Sequence, residues 1–152
     1  MKSSINPFAA LRCAVGLVFL VSGFEKLIVP YQNFLYVVQS YEFVPAGVDT
    51  LVARIFPWVE FFLGLFTVLG LWTQWSLRAV MVMLAVFLMT VGQAMVRGLP
   101  ISECGCFGEL ISLPLWAVFA FDSCLFAGCA WMLKNDGRTA GFSLDRYFDR
   151  PS

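Results

Sequence analysis

FAALRCAVGLVFLVSGFEKLIV, residues 8–29, decides the fold. A membrane span needs about 20 mostly apolar residues to cross about 30 Å of hydrocarbon, and this run is long enough. Inside it Arg12, Gly16, Phe19, Gly23 and Lys26 follow one another at intervals of four, three, four and three. That spacing puts them on one helix face. Glycines on such a face let a second helix approach closely in a bilayer. The run is no signal peptide, because its apolar core is too long and Gly23-Phe24-Glu25-Lys26 offers no small-residue cleavage site.

Three further runs have the same character, and the spans are expected at about 8–29, 51–71, 77–96 and 113–133. The whole chain agrees: of 152 residues 60% are hydrophobic and 13% charged. A soluble domain of that size could not hide so much apolar surface. Lysine plus arginine number 10 and aspartate plus glutamate 10, so nothing points to nucleic acid. Histidine is absent, which removes the commonest general base, metal ligand and haem ligand together. The expected fold is all-α: one integral membrane four-helix bundle over residues 1–133, followed by a polar tail, 134–152. With four spans both termini share a side. Lys2, Arg12, Arg78, Lys134, Arg138, Arg146 and Arg150 fall there, against Lys26, Arg54 and Arg97 opposite. Basic residues favour the cytoplasmic side, so both termini and the tail are expected in the cytoplasm and loops 30–50 and 97–112 outside.

In the first outer loop, YQNFLYVVQSYEFVP, Phe34, Val37, Val38 and Tyr41 recur at helical spacing before Pro45. The expectation is a short amphipathic helix on the outer membrane face, serving as an aromatic belt or as an entrance for a partner or quinone. WTQWS, residues 72–76, reads as a tight link that makes spans two and three an antiparallel hairpin. Span two offers Pro57, Glu60, Gly64 and Thr67 as a face to match the stripe of span one.

Glu60 and Asp122 lie within apolar spans. An acid at a span centre costs about 2.5–3.5 kcal/mol on insertion scales, so each needs a partner, a proton or water. Glu60 is expected to meet Lys26, either as a packing lock or as a contact to a proton or a quinone carbonyl. Asp122, nine residues past Leu113, has no basic neighbour in sequence and reads equally as structural or proton-handling.

ISECGCFGELISLP, residues 101–114, carries the chemistry. The other cysteines, Cys13, Cys124 and Cys129, fall in spans one and four and read as packing residues. Cys124 would lie roughly 16 Å below Leu113 at 1.5 Å per residue, too deep for a relay from the loop. Cys104 and Cys106 face an oxidising compartment in this topology. A disulfide across one residue needs a turn that Gly105 permits, staples little chain, and belongs with the strained, easily reduced disulfides. A structural zinc site wants four ligands. Copper(I) accepts thiolates and thioethers, which keeps two-thiolate binding open with Met81, Met89 and Met95 nearby in sequence. Redox exchange fits best, with Arg97 and the first amides of the last span, around Ser112 to Leu115, available to a thiolate. Its electrons need an acceptor. No dinucleotide-binding glycine pattern, haem motif or iron–sulfur cysteine cluster is present, which leaves a lipid-soluble quinone, with Trp58, Phe107 and Trp116 as aromatic neighbours for its ring.

CGCFG ahead of a last span, following the R-x3-G-x2-F-x3-G-x2-K first helix and PWVEFFLGLFTVLG in the second, resembles the DoxX-like membrane proteins, and most closely their MauE branch. The likeness runs over about residues 8–133. It implies a four-helix protein of bacterial thiol redox in the inner membrane, paired with a periplasmic thioredoxin-like protein. In the MauE branch it implies maturation of the disulfide-rich small subunit of an amine dehydrogenase; in DoxX relatives, quinone-linked oxidation of sulfur compounds. Cys104 and Cys106 match as the redox pair, and Arg12, Lys26 and Glu60 as family positions. Relatives place a basic residue before the acid of the last span, where this chain has Phe121, so Asp122 carries over only weakly.

The resulting expectation is a membrane thiol:quinone oxidoreductase. Cys104 and Cys106 would be catalytic and hold no metal. Arg12, Lys26, Glu60, Phe107 and Trp116 would contact non-covalently bound ubiquinone or menaquinone. Oxidation of a small sulfur compound with the same acceptor, or a non-enzymatic copper-handling or assembly role, are the alternatives.

Overall fold

Asp49 and Gly70 show how sequence sets the ends of these helices. The computed structural model describes residues 7–42, 44–45, 47–99 and 114–135. They form α1 (Pro7–Ile28), α2 (Tyr31–Ser40), α3 (Val48–Leu69), α4 (Thr73–Arg97) and α5 (Leu115–Lys134), with no strand among them. Helices α1, α3, α4 and α5, of 22, 22, 25 and 20 residues, are each long and apolar enough to span a bilayer. The chain is a multi-pass, all-α four-helix membrane bundle with one short extra helix. The tail expected at 134–152 lies outside the described residues beyond Asn135.

Two boundaries differ from expectation, for local reasons. Helix α3 starts at Val48, not Leu51, because Asp49 closes the turn. Its Oδ1 accepts the Gly47 N–H at 3.0 Å and its Oδ2 accepts Gln39 Nε2 at 2.6 Å. A carboxylate in a first helical turn also suits the helix dipole. Helix α4 starts at Thr73, inside the expected link. The turn needs only Gly70–Trp72, since Gly70 (φ 67°) and Trp72 (φ 45°) both adopt left-handed backbone. Such a conformation is cheap for glycine and uncommon for tryptophan.

The expected hairpin of α3 and α4 exists, yet the main partner of α3 is α1. The two run antiparallel with almost nothing between their backbones. A Cβ on Gly23 would stand 2.5 Å from Phe61 N, and one on Gly16 2.8 Å from Val68 N. On Gly64 it would run into Leu20 N and lie 2.8 Å from Leu20 Cα. The faces read from sequence are the ones buried: Arg12, Gly16, Phe19, Gly23 and Lys26 on α1, and Pro57, Glu60, Gly64 and Thr67 on α3. Gly64→Val therefore forces two backbones apart. We expect a loss of at least about 1–3 kcal/mol, the usual range for overpacking, read as a lower unfolding temperature in lipid nanodiscs. Gly92→Ala is the control, because its Cβ would meet only the Phe119 ring edge at 3.5 Å. It should leave that temperature unchanged.

Helices α4 and α5 form the second close pair. At the end where α1 starts, Phe8, Val15, Phe19, Leu77, Leu84 and Met132 close the core, and Phe8 stacks on Trp131 at 4.5 Å. At the other end Tyr41, Val91, Ala94 and Val118 form a smaller cluster, with Val37, Leu99 and Leu115 against it. The remaining perimeter is apolar, with Leu17, Val21, Ile55, Phe62, Val82 and Met89 all exposed. That is the surface a bilayer covers.

The short helix expected in the first outer loop is α2, Tyr31–Ser40. Its stripe packs on the end of the bundle. Phe34 stacks on Phe56 of α3 at 6.2 Å, Val37 joins the smaller cluster, and Tyr41 is buried. The cap is tied to α4 by Gln93 Nε2, which donates to the Tyr41 carbonyl at 3.3 Å. A solvent-exposed ion pair, Arg97–Glu42 at 2.7 Å, adds a second tie.

Candidate functional site

The close approach of α1 and α3 brings together a polar centre that neither helix could carry alone. Lys26 lies in the last turn of α1, and its side chain reaches back one turn, as helix geometry directs. Its Nζ stands 3.0 Å from Glu60 Oε2 and donates to Ser22 Oγ at 2.6 Å. The Ser22 hydroxyl also hydrogen-bonds the Glu60 carboxylate, which closes a three-membered network. Both charged side chains are almost wholly buried, at 2% and 3% exposure. Above them the Phe34 ring centroid lies 5.6 Å from Lys26 Nζ, a cation–π contact that makes α2 the roof of the centre.

The pairing expected between Lys26 and Glu60 is present. Ser22 is the member that sequence reading missed; its position one turn before Lys26 was the available signal. Glu25, also buried, was missed as well. Asp122 turns inward from α5, 6% exposed, within electrostatic reach of both Glu60 and Lys26. Arg12 does not belong to this centre. It is buried at 1% exposure in the other half of α1, and 14 residues separate it from Lys26, about 21 Å along the helix.

Cys104, Cys106 and Phe107 lie outside the described residues. The helices that flank their segment are well placed: Leu99 after α4 and Leu115 at the start of α5 both rest on the cluster that α2 covers. Both described ends of the chain on either side of that segment therefore lie at the α2 end of the bundle. Arg97, expected to be available to a thiolate, holds Glu42. Trp116 and Trp58 are 67% and 53% exposed, on the perimeter and not against the polar centre. Of the remaining cysteines, all free thiols, Cys129 is fully buried as a packing residue, Cys13 is partly buried and Cys124 is exposed. The expected packing role therefore fits Cys129 best. Among the described residues no three His, Cys, Asp or Glu side chains converge to hold a metal ion.

A polytopic helical bundle with a buried lysine–glutamate pair under a short capping helix defines the class. Within it, the family model described as methylamine utilisation protein MauE matches residues 6–135. This chain belongs to the MauE family. No curated protein and no solved structure matches it.

Proposed function

We propose that this protein is a membrane component of methylamine utilisation and works there as a thiol–disulfide oxidoreductase. Cys104 and Cys106 take two electrons from a periplasmic dithiol, on a thioredoxin-like partner or directly on a substrate protein, and become a disulfide. The electrons pass on to a quinone, ubiquinone or menaquinone, that is not covalently bound. In this reading the protein sits in a bacterial inner membrane with both termini in the cytoplasm and the cysteine pair in the periplasm.

The observation that supports it is where the cysteine segment is rooted. In sequence a C-x-C pair, the spacing of an easily reduced disulfide, falls between Leu99 and Leu115, and those two described residues pack at the end of the bundle that α2 covers. The roof over the Lys26–Glu60 pair belongs to that same helix. A buried ammonium that already donates to a carboxylate and a hydroxyl offers a polar contact inside an apolar bundle. Exposed aromatic rings at Trp58 and Trp116 are surfaces on which a lipid-dissolved ring can rest.

Trapping the thiols of intact cells by alkylation, followed by mass spectrometry, tests the reading. The pair should be oxidised in normal cells and become reduced when quinone is depleted. A pair that stays reduced under both conditions refutes it and favours copper(I) handling. Thiosulfate that replaces a reduced thioredoxin-like protein as electron donor would instead move the substrate to a small sulfur compound.

A further inference from the structure

Asp122 has no part in the lysine–glutamate network, and its burial needs its own explanation. It is the eighth residue of α5, about 10 Å along the helix from its start. It is more than nine-tenths buried, and its Oδ2 has no hydrogen-bond partner among the described residues. The charged groups that act on it are Glu60 of α3 and Lys26 of α1. Lys26 is already engaged with Glu60 and Ser22. Helix α4, packed along α5, carries charge only at Arg78 and Arg97 near its ends, and α2 carries none.

A carboxylate with a bare oxygen in an apolar bundle is costly, and a neighbouring anion adds to that cost. The ammonium available is spent on the other acid. Among the described residues no three acids or thiols converge on it as ligands for a metal ion. What remains is a proton. We infer that Asp122 is a membrane-embedded proton-binding site, coupled to Glu60 across the bundle: it holds a proton at rest and exchanges it as the charge of the Lys26–Glu60 pair changes.

The use of that proton in turnover rests on the redox reading above. Oxidation of a dithiol to a disulfide releases two electrons and two protons, and reduction of a quinone to a quinol takes up the same number of each. Asp122 gives one proton toward that uptake and recovers one from the protons the dithiol has released. The site itself stands without this step.

The test uses the full-length protein in lipid nanodiscs and a hydrophobic carbodiimide, dicyclohexylcarbodiimide, which adds to protonated carboxyl groups in apolar surroundings. Peptide mass mapping should find the adduct on Asp122. Labelling should fall about tenfold per pH unit once past its midpoint, as a single titrating acid does. Glu60→Gln removes the negative neighbour and leaves Lys26 its charge, so labelling at Asp122 should be lost at lower pH than in the wild type. An unlabelled Asp122 throughout the pH range, in protein that elutes as a single folded species, overturns the site. An unchanged midpoint in Glu60→Gln overturns the coupling. Infrared spectra give a second readout: a protonated-carboxyl carbonyl band in the wild type that Asp122→Asn lacks. If Asp122 is labelled while wild-type protein oxidises no dithiol, the redox reading fails and the proton site survives.

Discussion

Replacing either Cys104 or Cys106 with serine should reduce dithiol oxidation to background while the protein still inserts into membranes and folds. Thiol exchange needs one sulfur to be attacked and a second to be displaced and later recovered. With one sulfur missing, electrons from the donor cannot be collected as a disulfide. The two variants should nevertheless differ. Given the partner in its disulfide form, the variant that retains the sulfur exchanged with the partner attacks that disulfide as a thiolate and is held as a mixed disulfide, the partner's other sulfur leaving as a thiolate, because the second cysteine that would displace the partner is gone. Non-reducing electrophoresis after incubation with the disulfide form of the partner protein reads that adduct and so orders the two cysteines. Retained turnover in either variant would end the redox reading. If the pair serves chemistry and not packing, each variant should unfold within about 0.5 kcal/mol of the wild type, the range of ordinary surface changes.

Glu60→Ala should cause the largest loss of stability of any single substitution in the polar centre. It leaves the Lys26 ammonium buried without its counter-charge, still donating to Ser22. Removing one member of a buried ion pair costs about 3–5 kcal/mol, because the other charge stays uncompensated. Glu60→Gln keeps an acceptor for Lys26 and should cost less. The informative variant is the double replacement Lys26→Met with Glu60→Leu. Apolar residues of similar size often replace a buried pair at no cost in stability, so this protein should regain most of the loss in thermal unfolding. A double variant as unstable as Glu60→Ala would show that the pair itself holds the helices. A double variant that is stable but inactive would assign the pair to chemistry and leave the glycine contacts to hold α1 on α3.

The spans were legible because length and apolarity alone nearly determine them, and the α1–α3 partnership was legible in the spacing of Gly16, Gly23 and Gly64. A small residue in an otherwise bulky run marks where another backbone must come close. The Lys26–Glu60 contact followed from the cost of burying either charge without the other. The ends were less legible. Asp49 read as loop because it is charged, whereas its side chain is what starts α3. Trp72 read as the first residue of a tight link, 72–76, because nothing in sequence announces a left-handed tryptophan that lets α4 start at Thr73. Helix α2 showed its stripe but not its target, since the periodicity of Phe34, Val37, Val38 and Tyr41 suits a bilayer surface and a bundle end equally. The neighbours of Asp122 were invisible for a simpler reason: Lys26 and Glu60 come from helices far from it in sequence.

The buried pair also bears on how the chain is made. Residues 26 and 60 leave the ribosome 34 positions apart, and each charge meets the insertion machinery before its counterpart is in place. Glu60 stands mid-span in α3, where an acid costs about 2.5–3.5 kcal/mol to move into lipid, and Lys26, in the last turn of α1, is buried beside it. Helix α1 carries Arg12, Glu25 and Lys26, so it is a poor substrate for release into lipid alone. It gains its counter-charge and its glycine-matched surface only when α3 has been synthesised. The expected order of biogenesis is that α1 stays beside the translocon until α3 has been made, and cross-linking of stalled nascent chains before and after residue 60 emerges would read it.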